Sequence, residues 1–337
     1  MKIITIGGAT LDVFIKSKAF KVIESDRFLT GKAECLTLGS KNEADEIFVD
    51  TGGGATNAAV TFANLGIDCS ALVRVGDDLF GREVARVLGE KNVGLELLQK
   101  DKKLNTAYST LLLLGTGERS VLVYRGASNA LEFPRSFSPS TSPSPSLSKE
   151  GSRVADWFYI TSVGGNLKLL GEITAYAKKN KIKAMYNPGG GEIKQGFQKL
   201  KKHLTGLEVF MVNREEAATL CGTDYNNINV MIKKMSGLAP YVVITDGPAG
   251  AFAIHNGSLY FAPGLGTKPV NTTGAGDAFG SGFCAGLALK NDLDYALRLA
   301  ILNSDGVIRK TGAKNGLLTK LPSEKELKKV RIKKELL

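Results

Sequence analysis

Residues 270–283 read Val-Asn-Thr-Thr-Gly-Ala-Gly-Asp-Ala-Phe-Gly-Ser-Gly-Phe. The polar start and the small residues after it predict a turn that opens a closely packed helix. Gly274 and Gly276 let backbone N–H groups approach a ligand at the helix N-terminus, where unpaired donors favour phosphate. Asp277 follows directly, so an anion site lies beside a proton acceptor, as phosphoryl transfer to a hydroxyl requires. The alternative is an ordinary helix start, in which Asp277 only complements the helix dipole.

Short apolar runs that end near Gly, Asn or Asp alternate with helical patterns along the chain. Helical patterns cover residues 79–91 and 167–179, and the glycine at 66 ends another at 56–65. This order predicts an α/β fold with three layers, in which helices cover both faces of a mostly parallel central sheet. Ligands of such sheets bind beyond the carboxyl ends of the strands. The predicted strands are 3–7, 71–75, 157–161, 184–186, 209–212 and 242–245.

Two segments interrupt the alternation. Residues 13–50 are polar with few helical signals, and residues 108–124 are typical of two strands joined by Gly-Thr-Gly-Glu at 115–118. Together they predict a small β-sheet lid over the core. Residues 136–148 are rich in Ser and Pro and predict a surface loop within the core. The predicted kinase core therefore consists of residues 1–12, 51–107 and 125–337.

Composition limits the class of protein. The chain has 337 residues, of which 43% are hydrophobic and 23% charged, as in ordinary globular proteins. No apolar run approaches the roughly 20 residues that span a bilayer, and the start is too short for a signal peptide, so we predict a cytoplasmic protein without a membrane partner. The four cysteines show no CxxC spacing, and only two histidines are present. Carboxylates must therefore carry out any proton transfer.

The formal net charge is +11. Much of the excess lies near the C-terminus, where we predict a terminal helix with a solvated basic face. Interleaved aromatic residues and RNA-binding signatures are missing, so no nucleic-acid partner is predicted. A positive field would also attract an anionic nucleotide. The basic residues concerned are Lys325, Lys328, Lys329, Arg331, Lys333 and Lys334.

Two further stretches complete a recognisable pattern. Residues 52–59 read Gly-Gly-Gly-Ala-Thr-Asn-Ala-Ala, and residues 74–81 read Arg-Val-Gly-Asp-Asp-Leu-Phe-Gly. Together with residues 271–277, in this order, they make nearly the whole chain resemble the ribokinase-like (PfkB) family of carbohydrate and nucleoside kinases. The chain has no GxxxxGK[ST] loop, and no GxGxxG follows the first strand. The resemblance implies a ribokinase-like fold, ATP with Mg²⁺ as the phosphoryl donor, and a homodimer through the lid.

The resemblance also implies roles at the donor end. Asp277 would be the catalytic base, and Gly274, Ala275 and Gly276 would form the anion hole. Asn213 and Glu216 match an N-x-x-E element that organises Mg²⁺ and phosphate through water, although Asn213 is equally typical of a helix N-cap. Residues implied to line the nucleotide site are Asn187, Thr245, Gly247, Gly250 and Asn303; glycine and proline there would equally well indicate turns.

A monovalent cation is the third implied ligand at this end. Many members of the family bind K⁺ beside the anion hole with an acidic residue at the position that Asn271 occupies here. An amide oxygen can coordinate a cation but carries no charge. Asn271 and Thr273 are therefore candidate K⁺ ligands, while a K⁺ requirement is in doubt.

At the acceptor end, Asp12 is predicted to end the first strand and grip sugar hydroxyls, with a turn or cap role as the alternative. Gly53 and Gly54 let the backbone approach a sugar, and Asn57 supplies both a donor and an acceptor. Arg125 closes the lid hairpin. It would bind a carboxylate or phosphate of the acceptor, or pair with a neighbouring acid as a surface arginine.

These features predict a sugar kinase that phosphorylates a primary hydroxyl, with ribose as the first candidate acceptor. A nucleoside kinase is the main alternative and would need an apolar or aromatic pocket for the base, for example at Phe14. A kinase for sugar acids or sugar phosphates is a further alternative. A non-catalytic sugar sensor of the same fold is disfavoured because Asp277 accompanies the glycines.

Overall fold

The computed structural model describes residues 1–28, 31–114, 119–134, 137 and 154–337. The predicted turn at 115–118 lies outside the described residues, as does the Ser/Pro-rich segment 136–148 apart from Phe137. The strands in the described part are, in chain order, β1 (Lys2–Ile6), β2 (Thr10–Lys16), β3 (Lys21–Glu24), β4 (Lys32–Cys35), β5 (Glu46–Gly52), β6 (Asp68–Leu72), β7 (Arg74–Gly76), β8 (Gln99–Asp101), β9 (Ala107–Leu113), β10 (Arg119–Tyr124), β11 (Trp157–Ile160), β12 (Lys183–Tyr186), β13 (Val209–Asn213), β14 (Tyr241–Thr245), β15 (Gly250–His255), β16 (Ser258–Pro263) and β17 (Lys333–Leu336).

The helices begin where the sequence offers capping residues or glycine. Asp78 and Asn166 accept hydrogen bonds from the first turns of the second and third helices, for example. The helices in the described part are α1 (Gly54–Asn64), α2 (Leu79–Glu90), α3 (Leu167–Lys179), α4 (Gly190–Ile193), α5 (Phe197–Lys201), α6 (Arg214–Cys221), α7 (Ile228–Met235), α8 (Ala275–Lys290), α9 (Leu293–Ile308) and α10 (Glu324–Leu327).

A large sheet forms the centre of the molecule. Within the described residues it has nine strands in the order β17-β16-β15-β14-β13-β12-β11-β1-β6. The six strands from β14 to β6 are parallel, and β15, β16 and β17 extend the sheet by antiparallel pairing. The parallel strands are short and apolar because both of their faces are covered. Their carboxyl ends lie along one edge, where the predicted site residues follow the strands.

Two hydrophobic cores lie on opposite faces of this sheet. Ile3 and Tyr159 belong to the core under α1, α8 and α9, whereas Ile4 and Phe158 belong to the core under α3, α6 and α7. Adjacent strand residues point to opposite faces, so each strand supplies both cores. This arrangement confirms the predicted three layers, with a mostly parallel sheet between helices.

A second sheet of four strands lies beside the first, in the order β10-β9-β2-β5. It contains the predicted hairpin of residues 108–124 and parts of 13–50, so these segments pair as expected. The expectation that Asp12 ends the first strand is wrong. β1 ends at Ile6, and Asp12 lies within β2, opposite Asp50 and Ser109. The predicted strand 71–75 also divides, because Leu72 ends β6 and Arg74 begins β7 in a separate two-stranded sheet.

The basic C-terminal segment is not one helix, which corrects the prediction. α10 covers only Glu324–Leu327, and Lys333–Leu336 forms the edge strand β17. This strand pairs with Ser258–Phe261 of β16, where Lys334 places its ammonium 5.1 Å from the ring centroid of Tyr260. The available sheet edge therefore outweighs the helix propensity of the lysines.

No helix in the described part of the chain is both long enough and apolar enough to cross a membrane.

Candidate active site

Two clefts open at the carboxyl edge of the large sheet, one on each side of the N-terminus of α8. The first has a volume of about 190 Å³ and is lined by Asp277. The second has a volume of about 230 Å³ and includes Ala275 and Gly276. The start of one helix therefore forms a wall of both clefts.

Small and polar residues line the first cleft, which we call the acceptor cleft. They come from the segments after β1, β5, β11 and β12, from the loop after β10, from the start of β9 at Ala107 and from the first turn of α8 at Asp277. The lining residues are Gly8, Thr10, Gly53, Gly54, Ala107, Arg125, Ser128, Asn129, Thr161, Ser162, Gly164, Asn187, Pro188, Gly189 and Asp277.

The second cleft, which we call the donor cleft, is lined by the turn after β14, the segment after β16, and the facing sides of α8 and α9. Its walls are more apolar than those of the acceptor cleft. The lining residues are Thr245, Gly247, Pro248, Gly250, Gly264, Leu265, Gly266, Thr267, Pro269, Thr272, Ala275, Gly276, Phe279, Ile301, Ser304, Asp305 and Ile308.

The start of α8 has the geometry of an anion-binding turn. Gly274 is the N-cap and has φ of 81°, a conformation that glycine adopts without strain. The Ala275 N–H donates to the Thr272 carbonyl at 3.2 Å, so it is engaged within the turn. In the described part of the chain, the N–H groups of Gly276 and Asp277 donate to no backbone carbonyl. They are the donors that the helix start offers to an anion.

Asp277 is held by one defined hydrogen bond. Its Oδ2 accepts from Asn57 Nδ2 at 2.8 Å. Burial raises the pKa of the Asp277 carboxyl, while the Asn57 hydrogen bond and the Lys314 charge act against that rise and Asp12 adds to it. A carboxylate with a raised pKa is a better proton acceptor than an exposed aspartate.

Lys314 is a site residue that the sequence analysis missed. Its ammonium donates to Asn57 Oδ1 at 2.7 Å and to the Thr51 carbonyl. Burial lowers its pKa to about 8, against the opposing charges of Asp50, Asp12 and Asp277. Lys314 lies in Gly-Ala-Lys-Asn-Gly at 312–316, where a lone cation among small residues was the available signal.

The glycine loop before α1 brings its backbone close to Asp277. A Cβ atom at Gly54 would lie 3.0 Å from Asp277 Oδ1 and 3.0 Å from the Thr161 side chain. Gly53 and Gly54 line the acceptor cleft, and Asn57 is joined to it through Asp277.

Asp12 and Arg125 occupy different positions relative to this cleft. Asp12 is largely buried, accepts a hydrogen bond from Thr10 Oγ1 at 2.8 Å, and lies behind the lining residue Thr10. Arg125 lines the cleft, is exposed, and forms no ion pair with any residue that the structure describes. The alternative in which Arg125 pairs with a neighbouring acid thus finds no partner in the described chain.

Asn213 and Glu216 form a reciprocal cap at the start of α6. Asn213 Oδ1 accepts from the Glu216 N–H at 2.8 Å, and Glu216 Oε2 accepts from the Asn213 N–H at 2.9 Å. Burial raises the pKa of Glu216, the Asn213 hydrogen bond opposes this, and Glu215 and Glu192 reinforce it. Among the described residues, no group of three or more His, Cys, Asp or Glu side chains is arranged to hold a metal ion.

Asn271 and Thr273 meet at the turn before α8. The Thr273 N–H donates to Asn271 Oδ1 at 2.7 Å, so this amide oxygen already has a partner. Thr273 Oγ1 is buried and has no hydrogen-bond partner in the described part of the chain. Only the hydroxyl is thus an orphaned oxygen that a cation would satisfy.

The residues predicted for the nucleotide site separate into three groups. Thr245, Gly247 and Gly250 line the donor cleft together. Asn187 instead lines the acceptor cleft and donates to the Met211 carbonyl at 3.0 Å. Asn303 is fully buried and lines neither cleft, because its amide bonds the Ala278 carbonyl, Thr61 and the Leu318 N–H. Its neighbour Ser304 lines the donor cleft in its place.

Glu192 is a second contributor that sequence analysis did not find. It is fully buried and accepts hydrogen bonds from the N–H groups of Val163, Gly165 and Gly189 at 2.7–2.9 Å. It therefore holds together the loops after β11 and β12, which form one wall of the acceptor cleft. Its neighbours in sequence, Gly191 and Ile193, show no periodicity that would have indicated this role.

Comparisons with known proteins relate the chain to carbohydrate kinases. The family model described as pfkB family carbohydrate kinase matches residues 22–320. A fructokinase of Klebsiella pneumoniae is 26% identical over 297 residues, covering 82% of this chain and 91% of that protein. An ATP-dependent ribose-1-phosphate kinase of Halopiger xanaduensis is 27% identical over 249 residues, covering 74% and 77%. The structure of Arabidopsis thaliana ribokinase with ribose and ATP has a TM-score of 0.75 at 18% identity and covers 97% of each chain, which shows the ribokinase fold.

Proposed function

The chain belongs to the pfkB family of carbohydrate kinases, and we propose that it transfers the γ-phosphoryl group of ATP to a primary hydroxyl of a small carbohydrate. Members of this family are phosphotransferases that act on hydroxyl groups. The observation that carries the proposal is the position of the α8 N-terminus, which presents Asp277 to one cleft and Gly276 to the other. Acceptor and donor would therefore meet at this helix start.

In the proposed reaction, Asp277 accepts the proton of the acceptor hydroxyl. Asn57 holds Oδ2 of the carboxylate, which leaves Oδ1 to face the substrate. The hydroxyl oxygen forms a bond to the γ-phosphorus as the bond to the bridging oxygen of ADP breaks. The Gly276 and Asp277 N–H groups donate to the phosphoryl oxygens, whose charge is spread in the transition state.

The donor site would use the turn after β14. Thr245, Gly247 and Gly250 lie beside the anion-binding turn in the donor cleft, so a nucleotide bound there directs its phosphates at α8. Magnesium, when bound with ATP, neutralises phosphate charge. Asn213 and Glu216 would hold it through water, since a buried carboxylate with a raised pKa is stabilised by a nearby cation.

The lining of the acceptor cleft favours a polyol over a nucleoside. Among its described lining residues no side chain is aromatic, whereas a nucleobase needs an apolar or aromatic surface. Phe14, the aromatic candidate, is buried against Phe48 with ring centroids 5.6 Å apart. The Asn129 amide offers hydrogen bonds to hydroxyls instead.

A phosphorylated or acidic sugar is the second candidate acceptor. Arg125 is the observation that favours it, because an arginine without an acidic partner in the described chain lines the cleft. Guanidinium groups bind phosphate and carboxylate through paired hydrogen bonds. The relative from Halopiger xanaduensis carries the name of a kinase for ribose 1-phosphate.

A nucleotide-consumption screen over pentoses, hexoses, sugar acids, sugar phosphates and nucleosides tests these proposals. Turnover of neutral sugars that Arg125→Met leaves unchanged supports the first candidate. Turnover restricted to anionic acceptors, with a large rise in KM in Arg125→Met, supports the second. If a sugar raises the melting temperature but no compound is phosphorylated, the kinase proposal is wrong and the protein is a sensor.

We propose that the enzyme does not depend strongly on K⁺. Thr273 Oγ1 fits a cation ligand, but Asn271 adds no charge and its Oδ1 is engaged. Exchange of K⁺ for tetramethylammonium is expected to change kcat by less than about threefold, since the site lacks the Coulomb attraction of a carboxylate. Asn271→Asp is expected to increase the dependence, and strong activation of the unaltered protein would contradict the proposal.

We propose that a second copy of this chain covers the four-stranded sheet. Its outer strands β5 and β10 carry exposed apolar side chains, and their outer edges pair with no other strand that the structure describes; proteins normally protect such edges. Sedimentation velocity is expected to show a dimer for the unaltered protein and a monomer for Leu122→Lys. A monomeric unaltered protein would contradict the proposal. The exposed side chains are Ile47, Val49, Val121, Leu122, Val123 and Tyr124.

Two further predictions concern the location and the partners of the protein. We propose that it is cytoplasmic, which cell fractionation would check. Absence of nucleic-acid binding would be checked by retention on a DNA column at low salt, because phosphate-driven binding is strongest there.

A further inference from the structure

Lys314 places a buried cation between β5 and α1. Lys314 is 9% exposed. Its ammonium group donates to the Thr51 carbonyl at the end of β5 and to Asn57 Oδ1 in α1. An ammonium group has three N–H donors, so two of them are used in these contacts. The loop after α9 is therefore tied directly to the elements that form the acceptor cleft.

Asn57 links Lys314 to Asp277 through two hydrogen bonds. Its Oδ1 accepts from Lys314 at 2.7 Å, and its Nδ2 donates to Asp277 Oδ2 at 2.8 Å. A flipped amide would place its NH₂ against the ammonium and its oxygen against the carboxylate, and both contacts would be repulsive. Lys314 thereby determines which way the Asn57 amide faces.

The charged groups that act on Lys314 are carboxylates. Three carboxylates interact with it electrostatically, those of Asp50, Asp12 and Asp277. Asp12 raises the pKa of Asp277, whereas Lys314 lowers it. Burial also raises the pKa of Asp50, and Lys314 acts against that rise. Arg125 lines the acceptor cleft on another element, but Lys314 is the cation that lowers the Asp277 pKa.

We propose that Lys314 is a positioning residue for phosphoryl transfer, which orients the Asn57 amide and keeps Asp277 ionised so that Oδ1 can accept the proton of the acceptor hydroxyl. Lys314 keeps its own proton throughout, and the hydroxyl proton ends on Asp277. This inference rests on the proposed function, because it assumes that Asp277 is the base.

The test is the pH dependence of kcat/KM for the best acceptor of the screen. In Lys314→Met, the pKa of Asp277 is no longer lowered by the cation, so the acidic limb is expected to move to higher pH by about one unit or more. The loss of activity is therefore expected to be largest at low pH. In Lys314→Gln, which keeps an N–H donor but no charge, the same shift is expected with better activity at alkaline pH.

Lys310→Met is the matched control, since Lys310 is exposed in the same segment. It is expected to leave the profile unchanged. Loss of the same factor at every pH in Lys314→Met would show a merely structural lysine and overturn the proposal, as would an unchanged profile. If neither of these variants folds, Lys314→Arg decides, because it keeps the charge: its acidic limb is expected at the pH of the unaltered protein, and a limb that moves to higher pH contradicts the inference.

Failure of this inference is distinguishable from failure of the proposed function. If Asp277→Asn keeps full activity, the base assignment is wrong and Lys314 has nothing to position. If Asp277→Asn loses activity while Lys314→Met shows no pH shift, only the role of Lys314 is lost.

Discussion

Asp277→Asn is expected to lower kcat by about 10³-fold, because it removes the proton acceptor while keeping the size of the side chain. The KM for the acceptor is expected to change much less, since Asn57 and the cleft walls remain. Steady-state kinetics with the best acceptor of the screen measures both values.

Asp294→Asn provides the control for this experiment. Asp294 lies in the first turn of the neighbouring helix α9 and is exposed, so it shares the helix-dipole environment but not the cleft. Its replacement is expected to leave kcat unchanged. Undiminished turnover in Asp277→Asn would mean that Asp277 only complements the α8 dipole, the alternative that its position in sequence had left open.

A side chain at Gly54 is expected to reduce kcat/KM by about 10²-fold without unfolding the protein. A Cβ atom there would lie 3.0 Å from Asp277 Oδ1, the carboxylate oxygen that faces the substrate. Displacement of a reacting group by even about 1 Å costs a factor of this size. Gly54→Ala is expected to cause a smaller loss than Gly54→Val, because valine adds two methyl groups toward the same space.

Thermal unfolding separates this effect from damage to the fold. Gly54 begins α1, and replacement of a helical glycine by alanine stabilises a helix by about 1 kcal/mol. Gly89→Ala in α2 is the control, since a Cβ atom there meets only Leu95 Cδ1, at 3.8 Å. Both alanine variants are expected to melt at or above the temperature of the unaltered protein. Full activity in Gly54→Val would contradict the placement of the substrate against this backbone.

The glycine motifs explain why so much of the site was predictable. Residues 270–283 predicted a helix start with an aspartate behind two glycines, and α8 begins at Ala275 with Asp277 in its first turn. The small residues of that stretch pack as expected, because a Cβ atom at Gly282 would lie 3.0 Å from Ala300 Cα of α9. Local conformation and close packing are encoded by neighbouring residues, so sequence analysis can find them.

Side chains whose partners lie far along the chain were assigned less well. Asn303 was predicted at the nucleotide site. Its amide instead donates to the Ala278 carbonyl in α8 and accepts from the Leu318 N–H. Asn213 forms the helix cap that its sequence context equally indicated. In each case the hydrogen-bond partner, rather than the residue type, decides the role.

By itself, the sequence determined the fold class, the family and the carboxylate at the start of α8, because these depend on periodicity and on short motifs. Tertiary structure alone decided that Asp12 lies in the second sheet, that Asn187 faces the acceptor cleft, and that Lys314 reaches Asn57 across 257 residues of chain. The attraction between opposite charges depends on the distance between them in space. The order of residues along the chain does not give that distance. The ionisation state of Asp277 is therefore a property of the folded molecule.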